Sequence, residues 1–123
     1  MTPRIAYVLG ALFAFAAVAC GAFGAHALKA RLTTDALAIW QTAVLYHGWH
    51  ALAICIAGVA LAQRPDVAFA WAAWLFVAGI ALFSGSLYAL ALTGAKSLGA
   101  VTPIGGVAFL AGWLAFAWGA WRA

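Results

Sequence analysis

The side chains able to do chemistry are few, and most of them sit inside long apolar runs. They are His47 and His50, Ser84 and Tyr88, with Gln41, Tyr46 and Ser86 in the same stretches, then His26 nearer a chain bend and the lone pair of cysteines, Cys20 and Cys55. On a helix, residues three or four apart share a face, so His47 goes with His50 and Ser84 with Tyr88. Imidazole titrates near neutrality, and two such rings could line a polar cavity for a proton, an ion or a small ligand. The same side chains could instead bridge two helices, at about 0.6 kcal/mol per hydrogen bond in a membrane. Metal or haem ligation is a third reading, but no Asp or Glu lies within these runs to complete a metal site.

Hydrolytic chemistry fits poorly. No carboxylate is placed to orient a base, and Phe83-Ser84-Gly85-Ser86 is a distant echo of a Gly-x-Ser-x-Gly nucleophile turn. The glycine-rich stretch from Gly99 to Gly106 lacks the lysine of a phosphate-binding loop. Cysteine spacing matches no zinc site. The six basic residues, Arg4, Lys29, Arg31, Arg64, Lys96 and Arg122, are scattered singly, unlike the clustered face of a nucleic-acid binder. No catalytic residue, metal, cofactor or nucleic-acid partner is expected.

The elements that must position these groups follow from composition. Hydrophobic residues make up 69% of the 123-residue chain and charged residues 7%, with mean hydropathy +1.10. A water-soluble domain of this size could not cover so much apolar surface. A membrane-spanning helix needs about 20 apolar residues, and four such runs fit, at about 5–28, 37–62, 67–92 and 103–121. Lys29-Ala30-Arg31 stops the first. Thr33-Thr34-Asp35 offers cap chemistry for the second. Gln63-Arg64-Pro65-Asp66 makes a short turn, with Asp66 capping the third. Thr102 is expected as N-cap of the fourth, with Pro103 at its first position. Short connections force neighbours antiparallel, so the expected fold is an all-α membrane protein, a single domain of four transmembrane helices in an up-down-up-down bundle. Ala17-Val18-Ala19-Cys20-Gly21 faintly imitates a lipoprotein cleavage site, but the apolar run continues to Leu28, and a retained helix is expected. Arg4, Arg64 and Arg122 fall on the side of the termini, and Lys29, Arg31 and Lys96 on the other. That tie leaves orientation open apart from the α-amino group, which tips the termini towards the cytoplasm.

Counting helical rise from the side where the first helix exits puts Gln41 about 8 Å in, His47 about 16 Å and His50 about 21 Å. On the third helix Tyr88 lies about 8 Å in and Ser84 about 14 Å. Level matching therefore expects His47 beside Ser84 and Gln41 beside Tyr88, with His26 near the interface. Cys20 and Cys55 differ too much in depth to form a disulfide. Two seams of small residues run at heptad spacing: Gly10, Ala14, Ala17, Gly21 and Gly24 on the first helix, and Gly105, Ala108, Gly112, Ala115 and Gly119 on the fourth. Such seams let backbones approach closely, and they are expected to meet each other or another subunit. Trp40, Trp71, Trp113, Trp118 and Trp121 suit an interfacial belt, while Trp49 and Trp74 lie deeper.

Four ordered segments carry a family resemblance across nearly the whole chain. They are Gly21-Ala-Phe-Gly-Ala-His-Ala-Leu-Lys29; Thr42-Ala-Val-Leu-Tyr-His-Gly-Trp-His-Ala-Leu52; Phe83-Ser-Gly-Ser-Leu-Tyr88 with Leu92-Thr-Gly94; and Thr102-Pro-Ile-Gly-Gly106 with Gly112-Trp113. The chain resembles the YgdD-like small membrane proteins, domain-of-unknown-function family 423, related to transmembrane protein 256 of animals. The resemblance implies a four-span inner-membrane protein and carries no reaction or substrate. The expected role is structural or accessory: a bilayer protein that self-associates or joins a larger membrane complex. The competing expectation is a small carrier or ligand- or ion-binding protein with a polar site around His47, His50 and Ser84.

Overall fold

The computed structural model describes residues 1–123. The chain forms four helices long and apolar enough to cross a membrane: α1 (Pro3–Leu28), α2 (Thr34–Gln63), α3 (Val67–Thr93) and α4 (Lys96–Trp121). They run up-down-up-down, α1 alongside α2, α2 alongside α3, and α3 alongside α4. The largest fully buried side chains, Phe76 and Ile54, belong to the central helices α3 and α2.

Local chemistry sets the ends. The hydroxyls of Thr2 and Thr33 accept from the N–H groups of Ile5 and Ala36, at 3.2 and 3.1 Å, capping α1 and α2. Asp66 caps α3 through Ala68 N–H at 2.8 Å and also receives Arg122 from the end of α4, at 2.7 Å. Arg64 donates to the Arg122 carbonyl, so the two turns on that side are tied together. Gly94 ends α3 with φ of 69°, a left-handed conformation that glycine adopts without strain. The entry to α4 differs from expectation. A 3₁₀ turn, Lys96–Ala100, leads straight into the helix through Val101, so Thr102 is already helical and caps nothing. Its hydroxyl instead pairs with Ser86 on α3 at 2.6 Å.

Two π-helical turns interrupt the regular winding, Gly24–Leu28 at the end of α1 and Ile80–Ser84 in the middle of α3. In the second, Gly85 N–H reaches back five residues to the Ile80 carbonyl. Such turns take in an extra residue, and this one delivers Ser84 to the interface with α2.

The seams of small residues do not face each other as expected. The seam on α1 lies along α2, with Gly10 on Cys55 and Ala51, Ala17 opposite Gly48, Gly21 on Val44, and Gly24 under the Trp40 indole. The seam on α4 lies along α3, and it meets phenylalanines at the same heptad spacing. Gly105 abuts Phe83, Gly112 abuts Phe76 and Gly119 abuts Phe69. Between the first two pairs the roles reverse, and Gly79 of α3 receives Phe109 of α4. All four contacts keep one antiparallel register, and the same register pairs Ser86 with Thr102 at one end and Asp66 with Arg122 at the other. Ring-into-notch packing of this kind brings helix axes close without any driving force from water. Each glycine seam finds its complement on its hairpin partner, α1 on the helix that follows it and α4 on the helix that precedes it.

An added methyl at Gly112 would stand 2.7 Å from the Phe76 ring, whereas at Gly99 it would meet nothing within 4 Å. Gly112→Ala should therefore cost about 1–3 kcal/mol by overpacking, read as a lower midpoint in detergent-titrated unfolding, with Gly99→Ala close to neutral. Adding Phe76→Leu to Gly112→Ala should lose less than the two single changes together; strict additivity would refute the notch.

Candidate functional site

The intramembrane polar residues gather where α2 faces α3 and α4, but they do not form one cluster. His47, 4% exposed, directs Nδ1 to the Tyr88 hydroxyl at 2.9 Å. The Phe13 ring from α1 stands edge-on to the imidazole, with centroids 6.0 Å apart. Tyr88 packs against Trp40 at 4.6 Å between centroids, and the Trp40 indole donates to the Cys20 carbonyl at 2.9 Å. Three helices therefore meet through a short chain of groups, α1 at Cys20, α2 at Trp40 and His47, and α3 at Tyr88. His47 Nε2 is buried without a partner.

Ser84 is fully buried and donates to the Ala43 carbonyl at 2.8 Å. His47 thus meets Tyr88 rather than Ser84, and Gln41 is exposed instead of lying beside Tyr88. Side-chain lean explains the correction. Helical side chains tilt towards their own N-terminus, so on antiparallel helices Tyr88 reaches deeper and His47 reaches shallower than their Cα atoms. Carbonyls point the other way, which brings the Ala43 oxygen down to Ser84.

His50 turns to α4. Its Nδ1 lies 2.7 Å from the Tyr46 carbonyl, and the Trp113 indole N–H donates to Nε2 at 3.1 Å. A carbonyl can only accept and an indole N–H can only donate, so this network assigns His50 as neutral with its proton on Nδ1. The ring stacks on Phe109 at 3.5 Å between centroids, 12° from parallel. His47 and His50 therefore serve different neighbours and do not line one cavity. Both His50 nitrogens are committed, so ligating anything would first break the bond to Trp113.

The remaining residues fall into place separately. Ser86 donates to the Phe83 carbonyl at 3.0 Å besides pairing with Thr102. Tyr46 packs its ring against Trp49 and Phe83. His26 is exposed on the π-helical turn of α1. Cys20 and Cys55 are free thiols. Trp40 is buried under Gly24 rather than set in an interfacial belt, and Trp113 stands within about a turn of the middle of its helix. Sequence reasoning missed the bonds from Trp113 to His50 and from Thr102 to Ser86. The second carried a usable signal, because both residues lie equally far from the α3–α4 turn. The first had none, since an indole gives no sign of which residue it will reach. No three of the His, Cys, Asp and Glu side chains converge.

Residues 20–106 match the family described as protein of unknown function, DUF423. The UPF0382 membrane protein of Staphylococcus aureus (strain bovine RF122 / ET3-1) is 47% identical over 111 residues, 90% of each chain. The UPF0382 membrane protein YwdK of Bacillus subtilis (strain 168) is 43% identical over 112 residues, covering 90% of this chain and 91% of that protein. No solved structure matches the chain.

Tyr88→Phe leaves both His47 ring nitrogens unbonded in a dry site, and should destabilise the fold by about 1–2 kcal/mol. Gln41→Leu should leave stability unchanged. Detergent-titrated unfolding followed by tryptophan fluorescence measures both, and equal midpoints for the two variants would count against the bridge.

Proposed function

The chain belongs to the DUF423 family of multi-pass cell-membrane proteins, and from that premise we propose that it is a non-enzymatic, structural or accessory component of a membrane assembly. The observation that carries this reading is where the polar side chains go. His50 and Ser84 commit their hydrogen bonds to other helices or to backbone, Ser86 joins Thr102, and His47 joins Tyr88. Groups so engaged hold helices in place and are not poised to act on a substrate. The two acidic residues stand outside the hydrocarbon, Asp35 in the first turn of α2 and Asp66 as the α3 cap, so no carboxylate is at hand to orient a base.

The competing reading, one polar site for a ligand or ion around His47, His50 and Ser84, lacks geometric support. The three residues point to α3, to α4 and to the Ala43 carbonyl respectively. The outward faces of α1 and α4, with Leu12, Phe15, Val18, Val107 and Leu114 exposed, are surfaces for lipid or for neighbouring subunits.

Cross-linking in native membranes followed by purification in mild detergent should recover the chain with a stoichiometric protein partner or as a homo-oligomer. His47→Ala should lower the yield of folded protein. A chain that stays monomeric, and drives a proton or ion flux in liposomes that His47→Ala abolishes without loss of folded protein, would overturn the proposal.

A further inference from the structure

Two adjoining hollows form a furrow on the outer face of the first hairpin, between α1 and α2. The inner one, about 370 Å³, is lined by Ala14 and Val18 of α1 and by Val44, Leu45, Gly48 and Leu52 of α2. The outer one, about 170 Å³, shares Val44 and Leu45 and extends to Ala25 of α1 and Gln41 of α2. Measured from the middle of α1, Ala14 lies about 2 Å past the centre, Ala25 about 14 Å out and Lys29 about 20 Å out. Half the hydrocarbon core is about 15 Å thick. The furrow therefore spans one leaflet, and Lys29 stands at headgroup level. Lys29 follows Ala25 by four residues, so it continues the face of α1 that lines the furrow.

The cations at this end are unpaired. Lys29 and Arg31 are exposed, and the only ion pair in the chain joins Arg122 to Asp66 on the opposite side. Arg64, also on that opposite side, is engaged by the Arg122 carbonyl. Asp35, the carboxylate nearest to Lys29 and Arg31 in sequence, pairs with neither.

We propose that the furrow seats one anionic phospholipid, an acyl chain lying along it and the phosphate held by Lys29 and Arg31. The lining suits a chain, and the length matches the leaflet that the chain occupies. Gln41 leans towards the N-terminus of α2 and so towards the headgroups, where its amide can donate to an ester carbonyl. Charge selects this occupant over a second copy. Copies inserted alike and paired through this furrow would bring Lys29 against Lys29, a like-charge contact that opposes docking. A zwitterionic lipid brings a cation of its own and gains less. The site goes beyond the accessory role proposed above and does not depend on it.

Gly48 gives a way to block the furrow with its charges in place. An added methyl there would meet only Ala17, at 4.0 Å, so a leucine extends into the furrow. The test is native mass spectrometry of the full-length protein in mild detergent, titrated with dioleoylphosphatidylglycerol or dioleoylphosphatidylcholine. The first phosphatidylglycerol should bind about tenfold more tightly, because each basic side chain near a headgroup contributes about fivefold. Lys29→Gln should cut that preference about fivefold, and Lys29→Gln/Arg31→Gln should abolish it. Lys96→Gln, the same charge change at the other turn on this side, should leave it intact. Gly48→Leu should weaken phosphatidylglycerol binding with every charge present. Ala25→Leu, at the exposed outer end, replaces it if circular dichroism shows that Gly48→Leu fails to fold. Inorganic phosphate should not compete. Equal binding of the two lipids, an equal loss in Lys96→Gln, or indifference to the blocking variant would each overturn the proposal. So would displacement by inorganic phosphate, or a homodimer that the blocking variant dissolves.

Discussion

Lipid tails are as apolar as the helices they surround, so burial alone cannot select one arrangement of α1–α4 over another. Fit and hydrogen bonding must do it. The structure uses both. Within each hairpin, α1 with α2 and α3 with α4, glycines open notches that the neighbour's side chains fill, and Phe69, Phe76, Phe83 and Phe109 are the knobs of the second hairpin. Between the hairpins, a buried cluster that includes Ile54, Phe76 and Ile80 is joined by three hydrogen bonds: His47 to Tyr88, Ser84 to the Ala43 carbonyl, and Trp113 to His50.

The polar bonds contribute little each, yet their geometry is demanding. An alternative register that slid α2 against α3 by one turn would leave an imidazole, a hydroxyl and an indole facing hydrocarbon together. Specificity here comes from the cost of the wrong arrangement more than from the strength of the right one. The π-helical turn Ile80–Ser84 belongs to the same logic, since it brings the one fully buried serine to the interface with α2.

Helix number, the glycine seams and the helix ends apart from the start of α4 were legible in the sequence because each rests on local chemistry. Runs of apolar residues, Thr33 and Asp66 as caps, and small residues at heptad spacing need no knowledge of neighbours. What was not legible is which surface each seam would meet. The phenylalanines on α3 look like ordinary lipid-facing residues until they are counted against Gly105, Gly112 and Gly119 from the far side of the turn. The polar set was legible as a set, but its pairings were not. Level matching of Cα atoms ignores the lean of side chains, which moved Tyr88 to His47 and left Gln41 outside. His50 was legible as a buried imidazole and illegible as the partner of Trp113, because that contact crosses to a helix that is not next in sequence.

The placement of these bonds also orders events in time. Chains enter a membrane from the N-terminus, so α1 and α2 are present before α3 and α4 are made. The first hairpin can complete its own contacts at once, down to the Trp40 bond with Cys20. His47 cannot, and the Trp113 partner of His50 lies on α4, the last helix to emerge. During that interval α2 carries an imidazole lacking its tyrosine, a need that water in the insertion machinery or another protein must meet. A half-made chain is thus the form of this protein most dependent on outside help.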